Sequence, residues 1–524
     1  MKAVLDARIN QPAGGSGYLG EIISAGRPDQ LFRAYETRDA RFDGRFFVGV
    51  KTTGIFCRPV CPARTPLRRN VDFYASAAAA FAAGLRPCLR CRPERAPLLR
   101  ALAGGEALVA RALGAIDAGD LNQGSIEDLS ARIGVTSRHL RRLFETHLGA
   151  TPVQVAQTRR LLFAKQLIEE SGLPLGDIAF AAGFNSVRRF NTVFRDAYAR
   201  APSALRRAVP PAAVQGDAVQ GDAVPRAADA MLIRLGSMSA SAFAQLLGFY
   251  RMRAFRGVEV VTEAAYARSI APGGIAGAIA VRHDARSDSL CLACGIKQLT
   301  QLPRVVARVK RMFDLDAPQA AVQAHLQHDR LLRPALREPV RVPCAWDAFE
   351  LAVRAVLGQQ ISVKAASTLS GRLVERFGKP LDTRYSQRGG DDAPVRLFPP
   401  AQVLARLAVA DICGLGIIRA RAQTLIGLAR HVAATSDWHT RYNGLDAFTA
   451  EITALPGIGP WTAHYIAMRG FADPDAFPAS DLGLLRSARA LGIASTAREL
   501  ERHAERWRPW RAYAAQALWN VGIA

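Results

Sequence analysis

The sequence predicts a multidomain protein: a small α/β module organised by four cysteines, an all-α module, a linker, an α+β module and a larger all-α module. Three observations predict it. The length of 524 residues corresponds to three or four domains at roughly 150 residues each. Four of the chain's 8 cysteines, Cys57, Cys61, Cys88 and Cys91, crowd into one short stretch. A low-complexity repeat, Val214 to Ala218 followed at once by Val219 to Ala223, lies between Pro210-Pro211 and Pro225, has no apolar periodicity and reads as a linker.

Composition narrows the class. Hydrophobic residues make up 49% of the chain, enough for several packed cores, so a disordered basic tail is excluded. With 69 Lys and Arg against 45 Asp and Glu, the formal charge is +24, which calls for a polyanionic partner, nucleic acid before membrane. No run of 18 or more apolar residues appears, so no membrane span is expected. Met1 to Gly26 lacks a basic segment followed by an apolar one, so a cytoplasmic, nucleoid-associated protein is expected. Eight cysteines are too few for a disulfide scaffold, and clustered ones read as metal ligands or reactive thiols.

The modules follow in order. Residues 1–26 form an N-terminal extension. Residues 27–100 are rich in Arg, Cys and Pro, and 105–209 are helical in pattern. The linker occupies 210–230; its stretch from Pro210 to Pro225 reaches at most about 50 Å when extended, which lets the halves act at separate sites. Residues 231–340 mix helix with strand-like runs such as Val258-Glu-Val-Val261 and Leu290-Cys-Leu292. Residues 341–524 are almost wholly helical, with Gly and Pro breaks.

Cys57-x3-Cys61 and, after 26 residues, Cys88-x2-Cys91 suit one tetrahedral four-thiolate Zn²⁺ site, each pair supplying two thiolates from one turn. Spacing alone leaves open a purely structural zinc knuckle. Residues 51–100 carry ten Lys and Arg against two acids, so the module faces a polyanion. The runs Thr52-Thr-Gly-Ile-Phe-Cys57-Arg-Pro, Asn70-Val-Asp-Phe73-Tyr and Leu85-Arg-Pro-Cys88-Leu-Arg-Cys91 closely resemble the zinc domain of Ada-type sensors, over about residues 30–95. The resemblance implies a stoichiometric methyl acceptor for DNA methylphosphotriesters, with Cys57 as acceptor and all four cysteines as ligands. Cys291, Cys294, Cys344 and Cys413 read as structural thiols.

Ile126 to Ser137 reads as helix, glycine turn, helix, and the pattern returns 49 residues later: Asp128, Gly134 and Ser137 recur as Asp177, Gly183 and Ser186. Glycine supplies the left-handed turn, and Ser137 and Ser186 are candidate caps of the second helices. Leu140/Phe144 and Phe190/Phe194 face inward. Ser137, Arg138, Arg141, Arg142, Arg188, Arg189 and Asn191 then fall on the DNA-reading helices, where Arg suits guanine edges or phosphates. A merely solvated basic face is the alternative. Through Pro202 the pattern resembles the AraC-type activator domain, which implies promoter binding and RNA polymerase as a partner. Ala199 stands where that family has glycine.

In the C-terminal half, Leu455-Pro-Gly457-Ile458-Gly459-Pro-Trp461 predicts a tight hairpin between helices, whose backbone N–H groups hold a DNA phosphate without reading sequence. Asp481 lies 22 residues beyond Gly459. It reads either as a helix N-cap or as a carboxylate at the mouth of a pocket, where it would stabilise an oxocarbenium-like sugar and orient water. With Trp346-Asp-Ala-Phe349, Ala352 to Ser362 and Glu505-Arg-Trp507-Arg-Pro-Trp510-Arg, this half resembles the helix-hairpin-helix DNA glycosylases of the AlkA 3-methyladenine type, back to about residue 231. The resemblance implies a catalytic Asp481; a pocket of Phe249, Trp461, Tyr465 and Trp519 for a flipped, alkylated purine; and Gln360 at the wedge position, usually bulky and apolar. Trp461 replaces the lysine of bifunctional relatives, so a monofunctional glycosylase is expected. Gly236-Ser-Met-Ser replaces the usual aromatic and proline opening.

Together these features read as an Ada–AlkA fusion acting as a monomer on double-stranded DNA, both transcriptional activator and repair enzyme. The fold expected is a zinc domain, an all-α double helix-turn-helix domain, an α+β AlkA N-terminal subdomain and an all-α helix-hairpin-helix glycosylase domain. Two readings stand beside it: a repair enzyme whose front modules are only DNA anchors, and a methylation-responsive transcription factor with a weak glycosylase half. No Pro-Cys-His-Arg run occurs, so repair of O6-methylguanine is not expected.

Overall fold

In a computed structural model of the chain, residues 28–97, 105–206, 231–336, 338–382, 394–435, 438, 442 and 444–522 are described. The expected extension, 1–26, and the whole of the expected linker, 210–230, lie outside them.

The first module is a helix, Pro28–Glu36, against a four-stranded sheet of order β3-β1-β2-β4, with β1 Phe47–Val50, β2 Ile55–Cys57, β3 Val71–Tyr74 and β4 Arg86–Pro87. Strand β1 runs antiparallel to β2 and β3, whereas β2 and β4 are parallel. That parallel register has a consequence for the cysteines. Ile55 pairs with Arg86 and Phe56 with Pro87, so Cys57 and Cys88 leave the sheet side by side, and Cys88 N–H donates to Phe56 O at 3.0 Å.

Both helix-turn-helix units form as expected. Ile126–Ile133 and Ser137–Leu148 flank Gly134 (φ 82°); Leu175–Ala181 and Val187–Tyr198 flank Gly183 (φ 88°), and Pro152–Glu170 joins the units. Ser186 caps its helix through Arg189 N–H at 3.1 Å. Ser137 does not cap: the preceding Thr136 is extended (φ −76°, ψ 151°) and its hydroxyl accepts His139 N–H at 3.2 Å, leaving Ser137 as the first helical residue. Ala199 ends the second reading helix with φ 52°, a left-handed cap that glycine occupies without strain. Ala199→Gly is therefore expected to stabilise this helix end by about 0.5–1 kcal/mol after the entropy cost of glycine in the unfolded chain. Slower amide exchange over Val187–Tyr198 checks it; faster exchange would contradict it.

The third module is an antiparallel sheet of order β5-β9-β8-β7-β6: β5 Met231–Ser237, β6 Glu259–Val261, β7 Ala265–Ile270, β8 Gly277–Asp284 and β9 Ser289–Gly295. The unusual Gly236-Ser-Met-Ser opening still starts its helix, because Ser239 caps Ala240–Arg253 through Ala242 N–H at 3.3 Å. The last module is helical with one isolated β-bridge, Pro380 to Arg396. Val322, Leu326, Leu332, Leu336 and Val340, on the near side of the boundary drawn from sequence, pack into its core.

Described residues on the two sides of the expected linker are in contact. Leu167, Ile168, Ile178 and Phe194 of the second helix-turn-helix unit share one buried cluster with Ile233, Leu235, Leu246 and Val305 of the α+β module. Gln166 donates to Arg234 O at 3.0 Å, and Arg304 meets Asp120 at 3.1 Å. Apolar faces on both sides are removed from water by this contact, whatever the length of the chain between them. No described helix is long and apolar enough to cross a membrane.

Candidate metal centre and aromatic pocket

The four sulfurs of Cys57, Cys61, Cys88 and Cys91 lie within 4.8 Å of one another and all four residues are buried. Zinc at about 2.3 Å from each sulfur needs sulfurs about 3.8 Å apart, which this cluster accommodates. The donor set is all sulfur, as in closed tetrahedral zinc sites. Arg58 ties the pairs together: its backbone N–H donates to Cys91 Sγ at 3.2 Å, and its guanidinium donates to Cys91 O at 3.0 Å and Asp43 Oδ1 at 2.9 Å. The other cysteines form no disulfide, and Cys294 and Cys344 are buried.

Sequence reasoning missed what lies behind this centre. Arg92, next to Cys91, reaches Glu169 and Glu170 on the helix Pro152–Glu170; Arg95 meets Glu170 at 2.6 Å; and buried Lys165 meets Glu94 and, at 3.0 Å, Glu169. Three cations and three carboxylates thus join the sensor-like module to the helix between the two helix-turn-helix units. The pairs that join the two modules are 71 to 78 residues apart and leave no local signal. Arg138, Arg141, Arg142, Arg188 and Arg189 are exposed, while Ser137 and Asn191 are half-buried.

In the C-terminal half, Asp481 takes the N-cap role weighed for it, and its carboxylate also meets two indole N–H groups. Its Oδ1 caps the helix Leu482–Ala490 through Leu484 N–H at 3.0 Å and also accepts Trp519 Nε1–H at 2.8 Å; its Oδ2 accepts Trp461 Nε1–H at 3.0 Å. The residue is half-buried rather than sealed under packed side chains. The loop before it is held by His464, whose Nδ1 accepts Phe477 N–H at 3.1 Å. Burial lowers the pKa of His464, which favours the neutral ring this bond requires.

The structure brings all four expected aromatics together. Trp461 stacks on Tyr465 with centroids 5.2 Å apart and planes 11° apart. Buried Arg469, which no local motif announced, lies 4.3 Å from the Phe249 ring, 5.4 Å from Tyr465 and 4.9 Å from Trp519. Arg253 lies 4.1 Å from the same Phe249 ring. Phe249 and Tyr465 line a cavity that Arg354, Glu350 and Arg469 also line. Burial pushes Glu350 up to about 7, against the opposing pull of Arg268.

Gly457, Ile458 and Gly459 form the hairpin before the helix Pro460–Gly470, with Ile458 buried and both glycines exposed. Gln359 was not singled out from sequence, yet its amide donates to Gly457 O at 2.9 Å and Thr462 Oγ1 at 3.2 Å. It thereby fixes Gln360, exposed and left-handed (φ 56°), beside the hairpin. Gly457 has φ 86°, and a Cβ there would stand 2.1 Å from Thr424 Oγ1, which is itself held by Ala420 O at 3.1 Å. Gly457→Ala is expected to displace the hairpin and lower duplex DNA affinity about tenfold or more at fixed salt, read by fluorescence anisotropy. Unchanged affinity would remove the hairpin from the DNA contact.

Four family models match in chain order: the metal binding domain of Ada over residues 30–94, a helix-turn-helix domain over 129–208, the AlkA N-terminal domain over 233–347, and the HhH-GPD superfamily base excision DNA repair protein over 353–511. With the first of these, the four-sulfur cluster is a site for one zinc ion. A Mycobacterium tuberculosis (strain CDC 1551 / Oshkosh) protein named "Probable bifunctional transcriptional activator/DNA repair enzyme AlkA" is 40% identical over 503 residues, 94% of this chain and 96% of its own. "DNA-3-methyladenine glycosylase 2" of Escherichia coli (strain K12) is 34% identical over 277 residues, 52% of this chain and 92% of its own. The "Bifunctional transcriptional activator/DNA repair enzyme Ada" of the same strain is 40% identical over 136 residues, 25% of this chain and 37% of its own.

Proposed function

The chain belongs to the family of bifunctional transcriptional activator/DNA repair enzymes that its Mycobacterium relative represents, and from that premise we propose that it senses methylated DNA backbone with its front half and excises alkylated purines with its back half. At the sensor, Cys57 is the methyl acceptor. Zinc held by Cys57, Cys61, Cys88 and Cys91 would keep the Cys57 sulfur deprotonated at neutral pH yet still nucleophilic. The Cys57 sulfur attacks the methyl carbon of a phosphotriester; an S–C bond forms, the C–O bond breaks, and the phosphate departs as an ordinary diester anion. With zinc bound, the four cysteine thiolates would give the site a formal charge of −2, and conversion of Cys57 to a thioether would reduce it to −1. Repulsion of DNA phosphate falls, and the exposed arginines of the two reading helices bind promoter DNA more tightly, with RNA polymerase as the protein partner.

In the back half, the hairpin 457–459 holds a phosphate, Gln360 fills the space of the extruded base, and the base enters the aromatic pocket. Asp481 stabilises positive charge on the sugar and orients the attacking water. Trp461 presents an indole rather than an amine, so no Schiff base forms there and the enzyme is monofunctional. One observation carries this reading: a single carboxylate held by the N–H groups of Trp461 and Trp519 beside stacked aromatic rings. Electron-rich rings suit a cationic alkylated base, and a fixed carboxylate suits the cationic sugar. Release of free 3-methyladenine from methylated duplex DNA, by wild type and Asp481→Asn, tests it.

A further inference from the structure

The pocket lined by Phe249 and Tyr465 offers donors without matching acceptors. Arg354, on the helix Ala348–Leu357, is 8% exposed; its Nη2 donates to Ser367 Oγ at 2.8 Å, and its Nη1 is buried with no partner. Arg469 donates from Nη1 to Pro343 O at 2.8 Å and from Nη2 to Gln516 Oε1 at 2.9 Å, and its Nε is also buried with no partner. Among the described residues lining this pocket, these are the side-chain nitrogen and oxygen atoms left buried and unbonded. The carboxylates are taken. Glu350 accepts Arg268 Nη2 at 2.9 and 2.7 Å, and Glu259 accepts Phe255 N–H at 2.8 Å and the Tyr266 hydroxyl.

An unpaired charged donor is costly to keep buried, and a ligand acceptor that reaches it recovers that cost. Burial brings Arg354 down to about 10, so its guanidinium stays charged at neutral pH. Tyr465 connects this pocket to the carboxylate, since it lines the pocket and stacks on Trp461, which holds Asp481.

We propose that Arg354 is a specificity-determining residue that donates from Nη1 to the ring carbonyl oxygen of a flipped keto base, with Arg469 Nε as a second donor. The inference rests on the glycosylase reading above. A guanine-derived lesion presents a carbonyl oxygen at the ring position where an adenine-derived lesion presents an amino group. Amino hydrogens facing Arg354 would set donor against donor, whereas a carbonyl completes the pocket. Arg354 therefore sets the balance between the two purine classes, while Asp481 serves both.

The test uses the full chain and duplex DNA methylated by dimethyl sulfate, with released 7-methylguanine and 3-methyladenine quantified from the same sample. Arg354→Met is expected to lower the ratio of 7-methylguanine to 3-methyladenine release about tenfold, and Arg354→Lys, which keeps charge but loses the planar fork, about threefold. Thermal unfolding identifies which variants are folded; should the methionine variant not fold, the lysine variant decides. An unchanged ratio in the folded variants overturns the inference, as does a wild type that releases 3-methyladenine but no 7-methylguanine. A wild type that releases neither base overturns the glycosylase reading itself.

Discussion

Cys57→Ser is expected to abolish transfer of labelled methyl groups from DNA methylphosphotriesters, with uptake falling more than about 100-fold, because a serine hydroxyl is not ionised at neutral pH and is a poor nucleophile beside a thiolate. Wild type should take up label to one methyl per chain and stop, since a thioether is not turned over. Losing any of the four cysteines also removes a zinc ligand, and structural zinc sites contribute to folding directly. Loss of uptake alone therefore does not identify the acceptor. Peptide mass spectrometry of labelled wild type does: the label is expected on Cys57, at the end of β2 where the parallel register places it beside Cys88. Label on Cys61, Cys88 or Cys91 would move the acceptor role, and no label at all would overturn the sensor reading. A matching increase in promoter affinity on methylation separates a sensor from a mere anchor.

Asp481→Asn is expected to reduce 3-methyladenine release about 10²- to 10⁴-fold, the range for removing a positioned carboxylate or a charge aimed at the transition state. The choice of asparagine matters because Asp481 also caps the helix Leu482–Ala490. Asparagine caps about as well as aspartate, so its oxygen keeps Leu484 N–H and Trp519 Nε1–H, while its amide nitrogen cannot accept Trp461 Nε1–H; thermal unfolding reads what that lost bond costs the fold. Alanine would lose the cap, at about 1 kcal/mol, and both tryptophan anchors as well, confounding stability with chemistry. If Asp481→Asn kept more than about a tenth of the release, the carboxylate would be a cap and nothing more.

What could be read from the sequence were groups whose chemistry is set by short, fixed offsets. Two cysteines in one turn, a glycine between two helices, and Gly457 and Gly459 around one apolar residue are constrained by backbone geometry that spans a few residues, so the pattern survives in one dimension. Asp481 was legible as a candidate, but its two roles could not be ranked, because capping is local and a pocket is not. Even local reading had limits: Thr136 rather than Ser137 caps its helix, since adjacent hydroxyls differ only in which backbone turns helical first.

Tertiary structure decided everything that depends on residues far apart along the chain. It set Arg469 among three aromatic rings, left Nη1 of the pocket-lining Arg354 without a partner, and bound Gln359 to a hairpin 98 residues away. It joined Arg92, Arg95 and Lys165 to three carboxylates beside the cysteines, and packed the two halves into one shared core. Burial is a property of the assembled surface: an arginine is solvated or desolvated according to what folds over it, and periodicity along the chain carries no record of that partner.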